Sequence, residues 1–231
     1  MGERSVVIIG ARGGIGAALA NALEQDPNYA RVIRLHRESA HPLDILDEAS
    51  IAAAADSLSG TYPPISLVIV ATGLLHSARK GPEKSLRELD PDWMMENFRI
   101  NAVGPALVAK YFLPIMAKQG PICFAALSAR VGSISDNRLG GWHSYRSSKS
   151  ALNMLIRNIA IEWQRKNPQS VVVGLHPGTV ETALSAPFKG NPAHERFTPA
   201  RAAGDMLNVL HGLKPEQSGQ IFAYDGSLVA P

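Results

Sequence analysis

The fold is decided by the stretch Ser5-Val-Val-Ile-Ile-Gly-Ala-Arg-Gly-Gly-Ile-Gly16 and its continuation Ala17-Ala-Leu-Ala-Asn-Ala-Leu-Glu24. The β-branched run before the first glycine predicts a buried strand, and the alanine- and leucine-rich segment after the last glycine predicts a helix. Glycines let the backbone turn tightly and approach a phosphate, and the helix start offers free N–H groups and a positive dipole end. This order therefore predicts a site for a dinucleotide pyrophosphate.

The glycines of this loop are Gly10, Gly14 and Gly16, with the spacing GxxxGxG instead of the better-known GxGxxG. The loop also carries Arg12 and Ile15. A glycine-rich loop alone is weak evidence, because ordinary strand-to-helix turns also contain glycines. Its position directly between a strand and a helix favours the dinucleotide interpretation.

A second motif, Tyr145-Arg-Ser-Ser-Lys149, places a phenol and an ammonium one helical turn apart. The segment that follows, Ser150 to Ile156, contains no Pro or Gly and predicts a helix. A free tyrosine has a pKa of about 10, and a neighbouring cation lowers that pKa. The pair predicts a general acid or base, although a surface helix can carry both residues without any function.

Apolar runs and amphipathic segments alternate along the chain. Strands are predicted at 5–9, 31–35, 66–70, 121–127, 171–175 and 220–224, with a further short strand around Pro42-Leu43-Asp44. Helices are predicted at 15–25, 47–58, 92–118, 144–166 and 199–212. The alternation predicts one doubly wound, Rossmann-type α/β domain over residues 1–231, with a parallel sheet of about seven strands and helices on both faces. Ligands of such sheets bind at the carboxyl ends of the strands.

The composition argues against several other classes of protein. The net charge of +3 is small and spread along the chain, so no nucleic-acid-binding surface is expected. No apolar run is long enough to span a membrane and no secretory signal precedes the first strand, so a cytoplasmic protein is expected. The single cysteine, Cys123, predicts a buried, unpaired thiol. The seven histidines form no pattern typical of a metal site, so no metal is expected.

Taken together, these motifs resemble the short-chain dehydrogenase/reductase family over nearly the whole chain. The family pattern consists of a glycine motif, a central Asn, a Ser, YxxxK and a later Pro-Gly. It matches, in that order, Gly10/Gly14/Gly16, Asn101, Ser128, Tyr145 and Lys149, and Pro177-Gly178 with Thr182. Three stretches are most similar to the C-factor or carbonyl-reductase-like branch: Ser128 to Ile134, Tyr145-Arg146 and His176-Pro177-Gly178.

The resemblance implies hydride transfer between a nicotinamide cofactor and a carbonyl or alcohol substrate. Tyr145 would donate or accept the proton at the substrate oxygen, and Lys149 would lower the pKa of Tyr145 and bind the nicotinamide ribose. Ser128 would hydrogen-bond the substrate oxygen, and Asn101 would hold a water chain to solvent. The cofactor would contact Gly10, Arg12, Gly14, Ile15, Gly16, Arg37, Asp44, Ala71, Gly73, Tyr145, Lys149, Pro177, Gly178 and Thr182.

Two arginines favour NADP over NAD as the cofactor. An acid at the end of the second strand binds the ribose 2′-OH of NAD, whereas Arg accommodates the 2′-phosphate of NADP. The second strand ends Leu35-His36-Arg37 without an acid at that place, and Arg12 lies in the glycine loop. Two guanidiniums can hold a dianionic phosphate, although both arginines are alternatively solvated surface charges. Asp44 comes too late for the ribose and, by resemblance, borders the adenine.

Three departures from the family pattern affect these assignments. Val70-Ala71-Thr72-Gly73 replaces the usual Asn-Asn-Ala-Gly, which keeps a backbone role and loses a side-chain amide. Ile9 stands where a Thr is common. Ala129 stands where many relatives place a second Ser, so Ser128 is the preferred substrate ligand and Ser133 the alternative.

The segment of about residues 181–198 lacks periodicity and predicts a substrate lid, with an ordered surface loop as the alternative. The residues expected to line a mainly apolar substrate site are Leu74, Leu75, Trp142, His143, Leu184, Phe188 and Phe197. By resemblance, a homodimer or homotetramer packing through helices 92–118 and 144–166 is expected. The rival interpretation is a C-factor-like nucleotide-binding signalling protein with little or no turnover.

Overall fold

A parallel sheet forms the centre of the computed structural model, which describes residues 3–188 and 195–231. Within these residues six strands lie in the order β2-β1-β3-β4-β5-β6. The strands are β1 (Arg4–Ile9), β2 (Tyr29–Leu35), β3 (Ile65–Val70), β4 (Ile122–Leu127), β5 (Ser170–His176) and β6 (Ile221–Ala223). Because the strand order reverses between β1 and β3, the loops after these strands diverge and leave a crevice at the carboxyl edge.

Helices connect the strands and cover both faces of the sheet, as predicted. They are α1 (Gly14–Glu24), α2 (Glu48–Leu58), α3 (Pro91–Phe98), α4 (Gly104–Phe112), α5 (His143–Gln164) and α6 (Pro199–Gly212). None of the helices in the described residues is both long and apolar enough to cross a membrane.

Two hydrophobic layers sandwich the sheet. Val7 of β1 packs in the layer that holds Phe112 of α4 and Ile156 of α5. Its neighbour Ile8 points to the opposite layer, which holds Leu19 of α1. Since the strands are covered on both faces, they read as continuous apolar runs in the sequence. Burial of each such side chain contributes roughly 1.5–3 kcal/mol, which makes the sheet a rigid support for the loops at its edge.

The predicted short strand at residues 42–44 is absent, so the described sheet has six strands where about seven were predicted. Pro42 has no N–H to donate to a neighbouring strand. The Leu43 N–H donates to the carbonyl of His36 over 3.2 Å, which closes a local turn. Leu43 is nevertheless buried, so its apolar side chain serves the core without a strand.

The predicted helix 92–118 is two helices separated by a π-helical turn, Arg99–Val103. Pro105 has no N–H to donate to the carbonyl of Asn101 four residues earlier, which opens the helix at this place. Gly104 begins α4 in close contact with Ile45, because a Cβ there would lie 2.4 Å from Ile45 Cγ1. The turn thus places Asn101 opposite the carboxyl edge of the sheet.

Candidate active site

The glycine loop after β1 has a backbone that side chains would obstruct. Gly10 has a φ of +82°, and its N–H donates to the carbonyl of Leu35 at the end of β2 over 2.9 Å. A Cβ atom at Gly16 would lie 2.3 Å from the carbonyl oxygen of Gly10, so only glycine lets α1 begin this close to the loop. The predicted roles of these glycines in the local backbone agree with this geometry.

The start of α1 fits a pyrophosphate. Gly13 is the N-cap and makes no side-chain hydrogen bond, so no side chain caps the free N–H groups of the helix. The hydroxyl of Thr72, just beyond β3, is buried and has no hydrogen-bond partner among the described residues. The loop after β5 also approaches, because a Cβ at Gly14 would lie 2.9 Å from Thr182 Cγ2. An open helix terminus is what a dinucleotide pyrophosphate binds, and the unpaired hydroxyl of Thr72 belongs to a side chain in contact with Gly10 of the same loop.

The other predicted cofactor residues meet at the same edge. The Ala71 N–H donates to the carbonyl of Ile9 over 2.8 Å, which extends the sheet beyond β3. Gly178 follows Pro177 with a φ of +76°, and a Cβ there would lie 2.7 Å from the ring of Phe197. A Cβ at Gly73 would lie 3.9 Å from the Nζ of Lys149. The structure therefore brings the loops after β1, β3 and β5 together around one crevice.

Tyr145 and Lys149 are both buried, with 8% and 3% of their surfaces exposed. Lys149 Nζ donates to the carbonyl of Leu127 at the end of β4 over 2.8 Å. Burial lowers the pKa of Lys149 to about 7 and raises the pKa of Tyr145. In the protein without cofactor, burial sets the pKa of Tyr145, so the lowering predicted from Lys149 together with a cationic nicotinamide stays a prediction.

Asn101 is fully buried in the π-helical turn. Its Oδ1 accepts the N–H of Leu74 and its Nδ2 donates to the carbonyl of Leu74, each over 2.8 Å. Nδ2 also donates to Ser148 Oγ over 3.0 Å, which ties the loop after β3 to α5. Since the side chain is used in these bonds, the predicted water-chain role rests on the backbone carbonyl, which Pro105 leaves without an α-helical donor.

Ser128 follows β4, but its hydroxyl is held by another residue. Ser128 Oγ donates to Oδ1 of Asn153 on α5 over 2.6 Å. Ala129 packs against Tyr145 in a small apolar cluster and contributes no hydroxyl. The alternative, Ser133, donates to a backbone carbonyl over 3.2 Å and does not line the cavity beside Tyr145. The role of Ser128 as a substrate ligand stays a prediction.

A cavity of about 230 Å³ adjoins Tyr145 and Ile15 of the glycine loop. Its walls are mainly apolar and come from the loops after β3, β4 and β5 and from the start of α5. Four predicted substrate residues line it: Leu75, Trp142, Leu184 and Phe188. The Trp142 ring lies 5.3 Å from the Phe188 ring and 6.3 Å from the Tyr145 ring, measured between centroids. The cavity therefore suits a small apolar or aromatic molecule.

Three other predicted substrate residues, Leu74, His143 and Phe197, do not line this cavity. Phe197 is buried and packs its ring 4.6 Å from that of Tyr224, beneath the loop after β5. Residues 189–194 of the predicted lid lie outside the described residues. A larger cavity of about 670 Å³ lies between α5 and the end of the chain, away from Tyr145, and contains none of the predicted catalytic residues.

Glu83 is a residue at this site that the sequence did not indicate. It is 1% exposed and accepts hydrogen bonds at the start of α5 from the N–H of Ser144 over 3.2 Å and from the Ser144 hydroxyl. Its backbone carbonyl accepts the N–H of Trp142 over 2.5 Å. A carboxylate at a helix N-terminus is favoured by the helix dipole. Glu83 therefore fixes the turn of α5 that carries Tyr145.

Glu38 is a second residue that the prediction missed. It forms an ion pair with Arg12, and both side chains are 69% exposed. Arg37 is also exposed and forms no ion pair within the described residues. Asp44 lies in the turn before α2, where its Oδ1 accepts the N–H of Leu46 over 3.0 Å. Arg12 of the glycine loop is thus paired with the acid that directly follows Arg37 in the chain, and the cofactor role of both arginines stays a prediction.

These elements define a Rossmann-type dinucleotide-binding domain with a buried Tyr and Lys at the carboxyl edge of its sheet. Residues 10–207 match the family model described as Enoyl-(Acyl carrier protein) reductase. The chain therefore belongs to the short-chain dehydrogenase/reductase family, a family of oxidoreductases.

Relatives within this family are of more than one kind. The chain is 37% identical over 145 residues to the C-signal of Myxococcus xanthus, covering 63% of this chain and 82% of that protein. It is 31% identical over 187 residues to 1-hydroxy-2-glutathionyl-2-methyl-3-butene dehydrogenase of Rhodococcus sp. strain AD45, covering 81% and 77%. The NADPH-bound carbonyl reductase from chicken fatty liver has a similar structure, with a TM-score of 0.86 and 28% identity over the whole of both chains.

Proposed function

We propose that this protein is an NADP(H)-dependent oxidoreductase that interconverts a carbonyl compound and an alcohol by hydride transfer. One observation carries the proposal: Tyr145 and Lys149 are buried together beside a cavity whose wall includes Ile15 of the glycine loop. This arrangement brings a proton-transfer group, a cofactor loop and an apolar substrate site into contact with one another.

Tyr145 is the general acid and base in this proposal. It donates a proton to the substrate oxygen during carbonyl reduction and accepts that proton during alcohol oxidation. The phenol is protonated at neutral pH, as reduction requires, and burial favours this form further by raising the pKa of Tyr145. A bound nicotinamide cofactor supplies or accepts the hydride, and its oxidised ring carries a positive charge that lowers the pKa of a neighbouring phenol. The apolar cavity walls keep water away from the reacting oxygen.

Lys149 positions the cofactor and acts on Tyr145. A protonated lysine has three donors, and the bond to the Leu127 carbonyl uses one of them. The others are available to the nicotinamide ribose. When protonated, the amine also favours the phenolate form of Tyr145, because opposite charges attract. Both effects depend on the bond that holds the Nζ of Lys149, a residue of α5, at the end of β4.

Arg37 and Arg12 support NADP(H) as the preferred cofactor. They follow the ends of β2 and β1, where the adenosine ribose of a dinucleotide lies on such a sheet. The carbonyl reductase from chicken fatty liver, to which this chain is similar, has NADPH bound. Glu38 competes with a 2′-phosphate for Arg12, so Arg37 provides the main selectivity.

The rival function is nucleotide binding in signalling with little turnover. Two observations favour it: the similarity to the C-signal, and the engagement of the Ser128 hydroxyl by Asn153. An intact Tyr145 and Lys149 favour catalysis. We also propose that residues 181–198 form a substrate lid and that the protein is a homodimer or homotetramer packing through α3, α4 and α5.

A direct experiment separates these functions. The purified protein is mixed with NADPH or NADH and a panel of small aliphatic and aromatic aldehydes and ketones, and nicotinamide absorbance is followed. Binding is measured in parallel by nicotinamide fluorescence. The proposal predicts tighter NADPH binding and carbonyl-dependent oxidation of NADPH. Tight binding without turnover of any carbonyl compound would favour the signalling function instead.

A further inference from the structure

Ser128 lines the cavity beside Tyr145, but it donates its hydroxyl proton to another residue instead of into the cavity. Ala129 occupies the wall next to Tyr145 without a hydroxyl, and Ser128 Oγ is bonded to Asn153. Donors placed where negative charge develops contribute strongly to catalysis, so Tyr145 as the single donor to a substrate oxygen would leave that charge under-stabilised. The other polar side chains that face this cavity are therefore candidates for a second donor to the substrate oxygen.

His176 is the last residue of β5 and follows Leu175, which pairs with Leu127 of the neighbouring strand β4. β4 and β5 pair in register from Ile122 and Ser170 to Leu127 and Leu175, and the Ser128 N–H continues the ladder to the Leu175 carbonyl over 2.8 Å. Side chains two residues apart on a strand share a face. Gly174 faces α5, because a Cβ there would lie 3.1 Å from Cδ1 of Ile156.

This alternation places His176 on the α5 face, which is also the face that carries Tyr145. His176 lines the cavity together with Tyr145 and Ala129. It therefore lies beside Ser128, whose hydroxyl is donated to Asn153, and Ala129, the next residue of that loop, offers only a methyl group.

His176 is an uncharged imidazole at neutral pH, and an uncharged imidazole has one N–H to donate. Burial, followed by the nearby Arg130 and opposed by Asp225, lowers the pKa of His176 to about 4, so the imidazole is neutral at neutral pH. Its Nδ1 is buried and has no partner among the described residues. A buried N–H without an acceptor is costly, so the single proton is favoured on Nε2.

We propose that His176 is a catalytic residue whose Nε2–H donates a second hydrogen bond to the substrate oxygen, in the role that a hydroxyl at position 129 would serve. This inference rests on the proposed function. Tyr145 still transfers the proton, and His176 stabilises the negative charge on the oxygen as hydride arrives.

The test combines loss and rescue. His176→Ala removes the donor, His176→Gln keeps an N–H donor in a similar volume, and His176→Ala with Ala129→Ser supplies a hydroxyl from the adjacent strand. His211→Ala, an exposed histidine in the last turn of α6, is the matched control. Each variant is compared for kcat and KM, and for the carbonyl stretching frequency of acetophenone bound to the NADP⁺ complex.

His176→Ala is expected to lower kcat on the order of 10²-fold and to raise the bound carbonyl frequency, since one donor is lost. Ala129→Ser in that background and His176→Gln each restore part of both signals. Ser128→Ala should lower kcat less than His176→Ala does. The proposal is overturned if His176→Ala leaves both signals unchanged, or if Ser128→Ala produces the larger loss in both.

The two readouts separate this inference from the proposed function. A carbonyl frequency that depends on His176 in a protein without turnover would support the donor and overturn the proposed function. Turnover that is insensitive to His176, with an unchanged frequency, would overturn the donor and leave the oxidoreductase function standing.

Discussion

The amine nitrogen of Lys149 lies 5.7 Å from the centre of the Tyr145 ring and donates to the Leu127 carbonyl, not to the phenol. Both groups are buried, and burial acts on them in opposite directions because it disfavours each charged form. In the free protein the Tyr145 phenol is therefore neutral, and the neighbouring Lys149 amine titrates near neutral pH. The free energy of unfolding and the rate of alcohol oxidation should therefore depend on pH in a way that an exposed pair would not produce.

Lys149 makes the free energy of unfolding rise with pH. In the unfolded chain a lysine keeps its proton up to about pH 10.4, whereas burial lowers the pKa of folded Lys149 to about 7. Between these values the unfolded state binds more protons, so stability increases with pH. Lys149→Met removes this contribution, and its stability relative to wild type should fall as pH rises from about 7 to about 8.5. Urea unfolding of both proteins at the two pH values measures this difference in stability. An equal change in stability with pH for wild type and Lys149→Met would contradict a buried, neutral amine.

The same variant tests the catalytic role of Lys149. Without the amine, Tyr145 loses a neighbour that favours the phenolate, so the acid limb of the pH–rate profile for alcohol oxidation should move upward. NADP⁺ binding should weaken as well, since the ribose loses a donor. Weaker binding with an unchanged profile would make Lys149 a ribose ligand only.

Arg37 should determine the choice of cofactor. A charge-assisted contact with the 2′-phosphate contributes roughly 1.5–3 kcal/mol, which corresponds to about a 10- to 150-fold preference for NADPH over NADH. Arg37→Asp should reverse the preference, because a carboxylate repels the phosphate and accepts from the NAD ribose. Arg31→Asp makes the same charge change at the other end of β2 and serves as control. Fluorescence titration that shows an unchanged ratio in Arg37→Asp would rule out this contact.

Glu38 should weaken NADPH binding. It pairs with Arg12, and a 2′-phosphate has to displace it from that guanidinium. Glu38→Gln keeps the size of the side chain and removes the charge, so NADPH binding should tighten while NADH binding stays nearly constant. The gain should diminish at high salt, because both side chains are exposed. Equal effects on both cofactors would show that Glu38 acts through the fold and not through the phosphate.

Glu83 should hold the start of α5. Glu83→Ala leaves the N–H and hydroxyl of Ser144 buried without their acceptor, which costs about 1–3 kcal/mol of unfolding free energy. Glu83→Gln keeps an amide oxygen as acceptor and should lose less. Glu88→Ala, on the same loop but exposed, provides the control. Urea unfolding of the three variants decides the matter, and equal midpoints for Glu83→Ala and wild type would contradict the role of Glu83.

The layered fold was predictable because its signals are local. Six of the seven predicted strands overlap an observed strand, since apolar runs covered on both faces are continuous in sequence. The segment at residues 42–44 was wrongly predicted as a strand for the same reason. Leu43 is buried like a strand residue, but its N–H donates to the His36 carbonyl within a local turn. The break in the predicted helix near Asn101 depends on Pro105 and on a contact with the distant Leu74. Helical periodicity in the sequence gives no sign of such a contact.

The site was predictable where a motif carries it and not where distant residues create it. The spacing of Tyr145 and Lys149 is visible in the chain. The hydrogen bond that Ser144 donates to Glu83 joins residues 61 positions apart, and no local pattern marks it. The direction of the Ser128 hydroxyl depends on Asn153, which only the packing of α5 on β4 brings near.

The central claim is that Tyr145 transfers the proton during carbonyl reduction. The most direct measurement compares NADPH-dependent reduction of a carbonyl substrate by wild type and by Tyr145→Phe, with Tyr224→Phe as control and with NADPH binding measured for each protein. We expect Tyr145→Phe to bind NADPH as wild type does and to lose activity by about 10²–10⁴-fold, because only the proton donor is removed. A Tyr145→Phe protein that keeps most of the wild-type rate would contradict the account.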